Sequence, residues 1–384
     1  MEYIKLKDLC EKEERFVAPN DDAHIDYVDI SSVDNKSKSL TKYDTYIFAE
    51  APSRARKRVK HGDVIVSTVR PNLNAVARFN IQTPHTPIAS TGFCVLRHKS
   101  DVDPIYIYFF CISPNFVRQM VAKATGASYP AVSDTIVREA KLPKHTAEKR
   151  IRIVSTLSKA KEIIEHRRAQ LAKLDELVKC RFVELFGDPV SNPMGWATKR
   201  IHEVAPHSPI EIKTESNDIW LLNLDKIESH TGRVTEYVYI HPDEIGTSTC
   251  GFDCRHVLYS KLRPYLNKVV VPNQSGMATS ELLALCPNEE LNREFLAHLL
   301  RSDNFVGYIS EKVAGAKMPR VSMDIFRAFP CILPPMTLQN TFVSFVQRID
   351  KLRFVVEMSH NHKHFTICGL VYLYANPRLN LGFA

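Results

Sequence analysis

The sequence predicts a mixed α/β protein with two homologous modules, separated by long helices that pair as an antiparallel coiled coil with pseudo-two-fold symmetry. Three observations support this fold class. Several short phrases occur twice in the same order, the copies are of similar length, and an uninterrupted helical pattern stands between them. Each copy is long enough to bury its own core. Two copies are too few for a solenoid, which needs at least three stacked units.

The repeat is clearest where an arginine precedes a proline at the end of a strand-like run. VRPNLN begins at Val69 and LRPYLN at Leu262. Downstream, GASYPAVS at Gly126–Ser133 matches GAKMPRVS at Gly315–Ser322, and each copy leaves through a Leu-Pro pair. The β-branched and aromatic residues before each Arg-Pro predict strands. We therefore divide the chain into residues 1–145 (first module), 146–189 (central helix), 190–336 (second module), 337–358 (second helix) and 359–384 (an atypical tail).

Apolar residues recur every seven positions in the central helix, without a proline or glycine before Gly187-Asp188-Pro189. At about 1.5 Å per residue, such a helix is roughly 60 Å long, which is too long to be buried within one module. A shorter run after the second module has the same spacing and predicts the partner helix. Two amphipathic helices that pack on their own modules are the alternative. The predicted seam residues are Leu157, Ile164, Leu171, Val178, Leu185, Phe342, Phe345, Ile349, Leu352 and Val356.

Charge is distributed unevenly between the modules. The formal net charge is +8 and the pI about 8.9, which permits a polyanionic partner without requiring one. The first module has 21 Lys/Arg and 17 Asp/Glu, net +4, whereas the second has 15 and 17, net −2. Any basic surface must therefore be local.

The Arg-Pro phrases predict arginines that contact an anion or a base edge. The residue before a proline is pushed into an extended conformation, so Arg70 and Arg263 are expected at strand ends with little backbone freedom. Arginine binds phosphate or guanine bidentately. Asn74 and Asn267 either read adenine or cap the turn. A salt-bridged arginine beside a turn asparagine is the alternative interpretation.

Two further segments carry polar or cationic groups that suit a phosphate backbone. One is the glycine-containing loop of each module, and the other is the basic run RARKRVKH at Arg54–His61. A short basic run is often only a solvated face. The candidate DNA-contacting residues are Arg54, Arg56, Lys57, Arg70, Asn74, Ser128, Tyr129, Arg263, Tyr265, Asn267, Lys317 and Arg320.

Catalytic signatures are missing from the sequence: we find no Gly-rich nucleotide loop, no nuclease-like carboxylate set and no serine elbow. We therefore expect no catalytic residue and no metal. The closest metal-like spacing, Cys250-x3-Cys254-x-His256, has no second cluster nearby. Nine scattered cysteines without a secretory leader predict a reduced cytosolic location.

Together these motifs make the chain similar to the specificity subunit of type I restriction–modification systems. The resemblance extends from Met1 to about Glu357 and is most specific in LDELVKCRFVELFGDP at Leu174–Pro189. It implies two target-recognition domains, each reading one half of a bipartite, asymmetric DNA site, with the coiled coil setting the gap between the halves. A subunit of this family is non-catalytic and works in the bacterial or archaeal cytoplasm.

The resemblance also implies partners. They are double-stranded DNA, two methyltransferase subunits and the restriction subunits. S-adenosylmethionine, ATP and Mg are expected on those subunits and no cofactor on this chain.

Two alternatives remain, a recognition fragment of a fused restriction–methylation enzyme and an inactive product of a recombination cassette. The heptad pattern weakens after Val356, and the tail does not resemble the family's second conserved helix. We interpret that end as truncated, recombined or frame-altered.

Overall fold

The computed structural model describes residues 2–12, 14, 16–212, 218–313 and 318–361, with the backbone alone at 357–361. Met1–Arg168 and Ala169–Glu357 belong to two compact units. The division falls inside the long helix, so each unit contains one module and one part of that helix. The predicted segment boundaries stay predictions.

The first module is built from short strands followed by short helices. Its sheets have the orders β5-β2-β9-β6 and β10-β7-β8, and β1 pairs with β11. Strands β2 and β9 are parallel, whereas β7 pairs antiparallel with both of its neighbours. The elements are β1 Tyr3–Lys5, β2 His24–Val28, β3 Val33–Asp34, β4 Ser39–Leu40, β5 Asp44–Ile47, β6 Ala55–Arg58, β7 Val64–Ser67, β8 Val76–Arg78, β9 Thr86–Ser90, β10 Phe93–Leu96, α1 Pro104–Cys111, α2 Pro114–Val121, α3 Asp134–Arg138 and β11 Lys141–Pro143.

The long helix α4 spans Ala147–Phe186, and its end follows from the sequence that comes after it. Gly187 adopts the left-handed conformation, φ 74°, and its amide donates to the carbonyl of Val183 at 2.8 Å. Glycine tolerates this conformation without a Cβ penalty, and Pro189 does not continue a helix. The indole nitrogen of Trp196 also donates to the carbonyl of Phe186 at 3.1 Å, which satisfies one of the last free carbonyls.

The second module repeats the topology of these three sheets, whereas the β3–β4 pair of the first module corresponds only to an isolated bridge between Ile227 and Val234. Its sheets have the orders β14-β13-β18-β15 and β17-β16-β19, β12 pairs with β20, and β13 is parallel to β18. The elements are β12 Thr198–Arg200, α5 Ile201–Val204, β13 Ile219–Leu222, β14 Val238–Ile240, β15 Thr249–Phe252, β16 Val257–Ser260, β17 Val269–Val270, β18 Gly276–Thr279, β19 Leu282–Leu285, α6 Arg293–Arg301, α7 Asp303–Lys312, α8 Met323–Arg327 and β20 Pro330–Ile332. The predicted mixed α/β class with an internal repeat is confirmed.

The repeated serines of the sequence are helix N-caps. Ser113 Oγ accepts from the amide of Phe116 at the start of α2, and Ser302 Oγ accepts from the amide of Phe305 at the start of α7. Ser133 and Ser322 cap α3 and α8 in the same way. A serine cap satisfies an otherwise unpaired amide of the first turn and contributes about 1 kcal/mol. Part of the sequence similarity between the two modules therefore reflects conserved helix N-caps.

The last helix, α9, spans Met336–Asn361 and packs on the second part of α4 within the second unit. Phe342 lies edge-on to both Phe182 and Phe186, with ring centroids 5.5 Å apart in each pair. The Arg353 guanidinium pairs with Asp175. Positions 175 and 182 thus meet 353 and 342, so the helices run antiparallel, as predicted.

The contacts of these helices follow the α-helical period more closely than a strict heptad seam. Val178, Phe182 and Phe186 are buried four residues apart in the core of the second unit. Of the predicted seam residues, Phe342 and Ile349 are buried there, Leu185 and Phe345 are partly buried against it, and Leu352 is 54% exposed. Leu157 lies in the core of the first module instead, and Ile164, Leu171 and Val356 are half-buried.

Within the described residues, no helix combines the length and apolar character needed to cross a membrane.

Candidate nucleic-acid interface

The first elbow, residues Arg70–Asn74, follows β7 and departs from its predicted backbone. Arg70 has φ 47° and ψ 61°, and Asn74 has φ 49° and ψ 55°, so both are left-handed. The prediction that Arg70 is extended is therefore wrong. A left-handed residue other than glycine costs about 1–3 kcal/mol and persists only where the surrounding contacts determine it.

Those contacts join the first elbow to the first proline loop, residues Gly126–Pro130. The Arg70 amide donates to the Pro130 carbonyl at 2.7 Å, and the Leu73 amide donates back to the Arg70 carbonyl at 2.9 Å. Pro71 disfavours the right-handed helical region for Arg70, and an extended Arg70 would carry the chain away from Leu73. The hydrogen bonds thus select the left-handed turn.

The second elbow, Arg263–Asn267, has the same geometry. Arg263 has φ 49° and ψ 65°, and Asn267 has φ 48° and ψ 57°. The Arg263 amide donates to the Pro319 carbonyl at 2.8 Å, and the Leu266 amide donates to the Arg263 carbonyl at 2.8 Å. The expectation of an extended Arg263 is corrected for the same reason. Two distant parts of one chain therefore hold the same strained turn, a feature typical of functional sites.

The first proline loop depends on its glycine. Gly126 has φ +98°, and a Cβ at this position would lie 2.8 Å from the Tyr129 carbonyl oxygen. The loop presents Ser128 and Tyr129 to solvent, and Tyr129 is 64% exposed. The Arg70 guanidinium lies over the Tyr129 ring, 4.4 Å from its centroid, an arrangement that holds the cation in place at the surface.

The second elbow presents its side chains differently. Arg263 and Tyr265 are both exposed, and no hydrogen bond or ion pair joins the Arg263 side chain to any other residue that the structure describes. Arg320 is exposed and pairs with Glu281. The predicted contact residue Lys317 lies outside the described residues.

The asparagine that ends each elbow serves as a turn residue. Asn267 is only 6% exposed, and its Nδ2 donates to the Arg301 carbonyl at 2.9 Å. The carbonyl of the half-buried Asn74 accepts from Lys38 Nζ at 2.6 Å. For Asn267, this geometry favours the turn-capping alternative over adenine reading, because its amide faces the interior.

The basic run lies beside the first elbow. The Thr91 amide donates to the Arg54 carbonyl at 2.8 Å, and the next residue, Gly92, accepts from the Thr68 amide at 2.8 Å. Strand β6 is thereby brought next to the strand end that carries Arg70. Arg54 and Arg56 are exposed, whereas Lys57 is half-buried and pairs with Asp134.

The sequence analysis missed one position, two residues before each elbow, at which the modules differ in charge. Thr68 and Lys261 hold equivalent positions, since the amide of each donates to a carbonyl in the turn before the paired strand, that of Gly92 before β10 or Glu281 before β19. Aligning the two repeats position by position would have revealed this exchange of a neutral side chain for a cationic one. The Lys57–Asp134 and Arg320–Glu281 pairs carried no such signal, because their partners are far apart in sequence.

The metal-like cysteine and histidine spacing forms a structural hydrogen-bond group. His256 is fully buried and its ring nitrogens lie 2.9 Å from Asp253 Oδ1 and from the Ser208 carbonyl. Hydrogen bonding by Arg255 lowers the pKa of Asp253 to about 2. Cys254 is exposed and Cys250 Sγ lies 3.5 Å from the Leu282 carbonyl. No group of three or more His, Cys, Asp or Glu side chains suited to a metal occurs among the described residues.

Comparisons with known proteins agree with this architecture. No protein-family model matches the sequence. The specificity subunit of the Escherichia coli type I restriction enzyme EcoDI is 24% identical over 173 residues, which cover 45% of this chain and 38% of that protein. The match thus spans well under half of that curated relative.

Two solved structures share the overall fold. One is the type I restriction–modification system S subunit from M. genitalium, with a TM-score of 0.56 and 13% identity, covering 98% of this chain and 96% of that one. The other comes from a study of complex assembly and conformational transition of the type I R-M system, with a TM-score of 0.56, 22% identity and 98% coverage of both chains. The chain therefore has the fold of a type I restriction–modification specificity subunit and resembles one such subunit in sequence.

Proposed function

We propose that the chain is the DNA-specificity subunit of a type I restriction–modification complex and that each module recognises one half of a bipartite, asymmetric site. The observation that carries this proposal is the pair of elbows. Arg70 and Arg263 are held in the same left-handed turn by the same hydrogen bonds, yet the exposed side chains around them differ. A shared backbone conformation with different exposed side chains suits two modules that recognise different half-sites.

Local charge supports contact with a phosphate backbone, which dominates the affinity of protein–DNA complexes. The exposed Arg54 and Arg56 lie beside the first elbow, and the second elbow begins with the exposed Arg263 and has the exposed Arg320 beside it. Cations therefore lie at both elbows even though the second module is net acidic. Phosphate contacts position a protein on the duplex, whereas contacts to base edges specify the sequence.

We assign the chain no catalytic role. The likeness to a specificity subunit supports recruitment of two methyltransferase subunits and of restriction subunits, which would carry S-adenosylmethionine, ATP and Mg. We place the complex in the cytoplasm. The exposed residues of α4 and α9, including Leu352, are the surfaces that we assign to partner subunits.

The test is to express the chain with its methyltransferase subunits and to map methylated adenines across the host genome. We expect a bipartite motif with two unrelated halves and a constant gap. Arg263→Ala should relax or abolish recognition of one half only, because Arg263 belongs to the second module. Arg255→Ala is the matched control, since it removes the same charge from an exposed site paired with Asp253.

Three results would count against the proposal. They are the absence of any methylated motif in the presence of the unaltered chain, failure of the methyltransferase subunits to co-purify with it, and equal loss of both half-sites in Arg263→Ala.

A further inference from the structure

We infer that the residue directly after the proline of each elbow selects a base, and that Asn72 selects adenine in the half-site of the first module. This inference rests on the proposed DNA-binding function and deepens it by naming the side chains that discriminate between bases. Asn72 and Tyr265 occupy this position in the first and second elbows.

The backbones around the two residues have nearly the same dihedral angles. Each elbow begins and ends with a left-handed residue and contains a single turn of 3-10 helix, Pro71–Leu73 or Pro264–Leu266. In each, the arginine amide is anchored to a proline carbonyl, that of Pro130 or Pro319. The main chain therefore has the same conformation in both modules. The side chains that it carries at the tip of the elbow, Asn72 or Tyr265, are what differ.

Both tip side chains are free to meet a ligand. Asn72 and Tyr265 are exposed, and neither makes a side-chain hydrogen bond or ion pair with another residue in the described part of the chain. This contrasts with Asn267, whose amide is buried and donates to the Arg301 carbonyl. An exposed amide with no intramolecular partner contributes little to folding, so its chemistry is available for recognition.

The chemistry of each tip predicts a different preference. The asparagine amide presents one donor and one acceptor, the pair that matches the N6 and N7 edge of adenine in the major groove. Tyrosine presents an apolar ring with one hydroxyl and does not form that bidentate pair. Beside each tip, Tyr129 of the first module corresponds to Met318 of the second, and both are exposed. The first tip is therefore polar and adenine-directed, and the second is mainly apolar.

The experiment uses the full-length chain co-expressed with its methyltransferase subunits, with methylated sites mapped across the genome. In Asn72→Ala we expect the preference for adenine at one position of one half-site to fall roughly tenfold, within the range that a bidentate pair contributes. Asn72→Asp should shift that position towards cytosine, whose N4 amino group a carboxylate accepts. The other half-site should stay unchanged in both variants.

Asn80→Ala is the matched control, because Asn80 is an exposed asparagine of the same module outside the elbow. Tyr265→Ala is the reciprocal variant and should alter only the other half-site. An unchanged base preference in both Asn72 variants overturns the inference while the bipartite motif still upholds the proposed function. Uniform weakening at every position of the half-site also overturns it, since that result indicates a phosphate contact. The absence of a motif with the unaltered chain defeats the proposed function itself.

Discussion

The first and second modules share a backbone at their elbows but place their positive charges differently. In the first module the exposed cations Arg54 and Arg56 belong to or adjoin strand β6, which lies beside the elbow. The equivalent strand in the second module, β15, has the sequence TCGF and no cation. There the cation Lys261 directly follows β16 and Arg320 directly follows Pro319, where the first module has Thr68 and Ala131.

This exchange shows which features of a module are constrained. The turns at Arg70 and Arg263 are determined by main-chain hydrogen bonds, which any side chain at the tip permits. Under the proposed function, phosphate contacts near the turn can come from different strands in the two modules, since such contacts carry no sequence information. A pair of modules can therefore diverge in charge placement and tip chemistry while keeping one frame.

A second contrast lies where each module enters its helix. Ile151 and Phe342 both stand nine residues after the leucine of the Leu-Pro exit. Ile151 is 68% exposed, whereas Phe342 is fully buried between Phe182, Phe186 and His298. The second unit thus has an aromatic cluster at this position, and the first unit has an exposed side chain.

The largest predicted effect follows from that contrast. Phe342→Ala should lower the free energy of unfolding of the second unit by about 3–5 kcal/mol, because it opens a cavity among aromatic rings. Ile151→Ala is the matched control and should change stability by less than about 0.5 kcal/mol. Urea unfolding followed by circular dichroism reports on both units, and the fluorescence of Trp196 and Trp220, which both belong to the second unit, assigns the Phe342→Ala loss to that unit. Similar shifts for the two variants would contradict the contrast.

An intermediate effect is expected at the first proline loop. Gly126→Ala places a Cβ 2.8 Å from the Tyr129 carbonyl at a φ of +98°, so the loop must shift and the Arg70–Pro130 hydrogen bond is weakened. We expect a loss of about 1–3 kcal/mol in local stability. Methylation mapping should show at least tenfold weaker recognition of one half-site, with the other half unaffected.

Gly195→Ala is the control for backbone conformation. Gly195 also has a positive φ, +68°, but a Cβ there meets no atom within 4 Å. It lies outside both elbows, so both half-sites should be recognised as in the unaltered chain. If the two glycine variants behave alike, the close contact at Tyr129 is not what the first elbow requires.

The sequence predicted the features that depend on local pattern. The repeat, the helix end at Phe186 and the antiparallel helix pair follow from spacing, glycine and proline placement, and apolar periodicity. The left-handed Arg70 and Arg263 did not follow, because the local effect of a following proline is overridden by hydrogen bonds from a loop more than fifty residues away.

The candidate site was predicted in outline rather than in detail. Arg70, Tyr129, Arg263 and Tyr265 lie exposed on or beside the elbows, as a contact role requires, and their DNA-binding role stays a prediction. Lys57 is half-buried because it pairs with Asp134, seventy-seven residues away. No periodicity in the sequence indicates that pairing. Side-chain pairing between distant segments is a property of the packed module and not of either segment.

The smallest predicted effect concerns a position at which the modules carry different rings. His298 lies six residues after the N-cap of α6, and Phe109 lies six residues after the N-cap of α1. Burial, with the nearby Arg301 and Arg353 charges, lowers the pKa of His298 to about 3. The unfolded chain binds a proton near pH 6.5, so the stability of the second unit is full above that pH and falls as the pH decreases towards 3.

Between pH 7 and pH 5 we therefore expect His298 to remove up to about 2 kcal/mol of stability, measured by urea unfolding with tryptophan fluorescence. His298→Phe introduces the ring that the first module uses at this position and should flatten the pH dependence over that range. Burial raises the pKa of Glu294 on the same helix, which opposes the histidine effect as the pH falls, so the comparison of the two proteins isolates His298. An identical acid-induced loss of stability in both proteins would show that the His298 imidazole is not the group responsible. The phenyl ring of His298→Phe would then replace the imidazole without any change in the pH dependence.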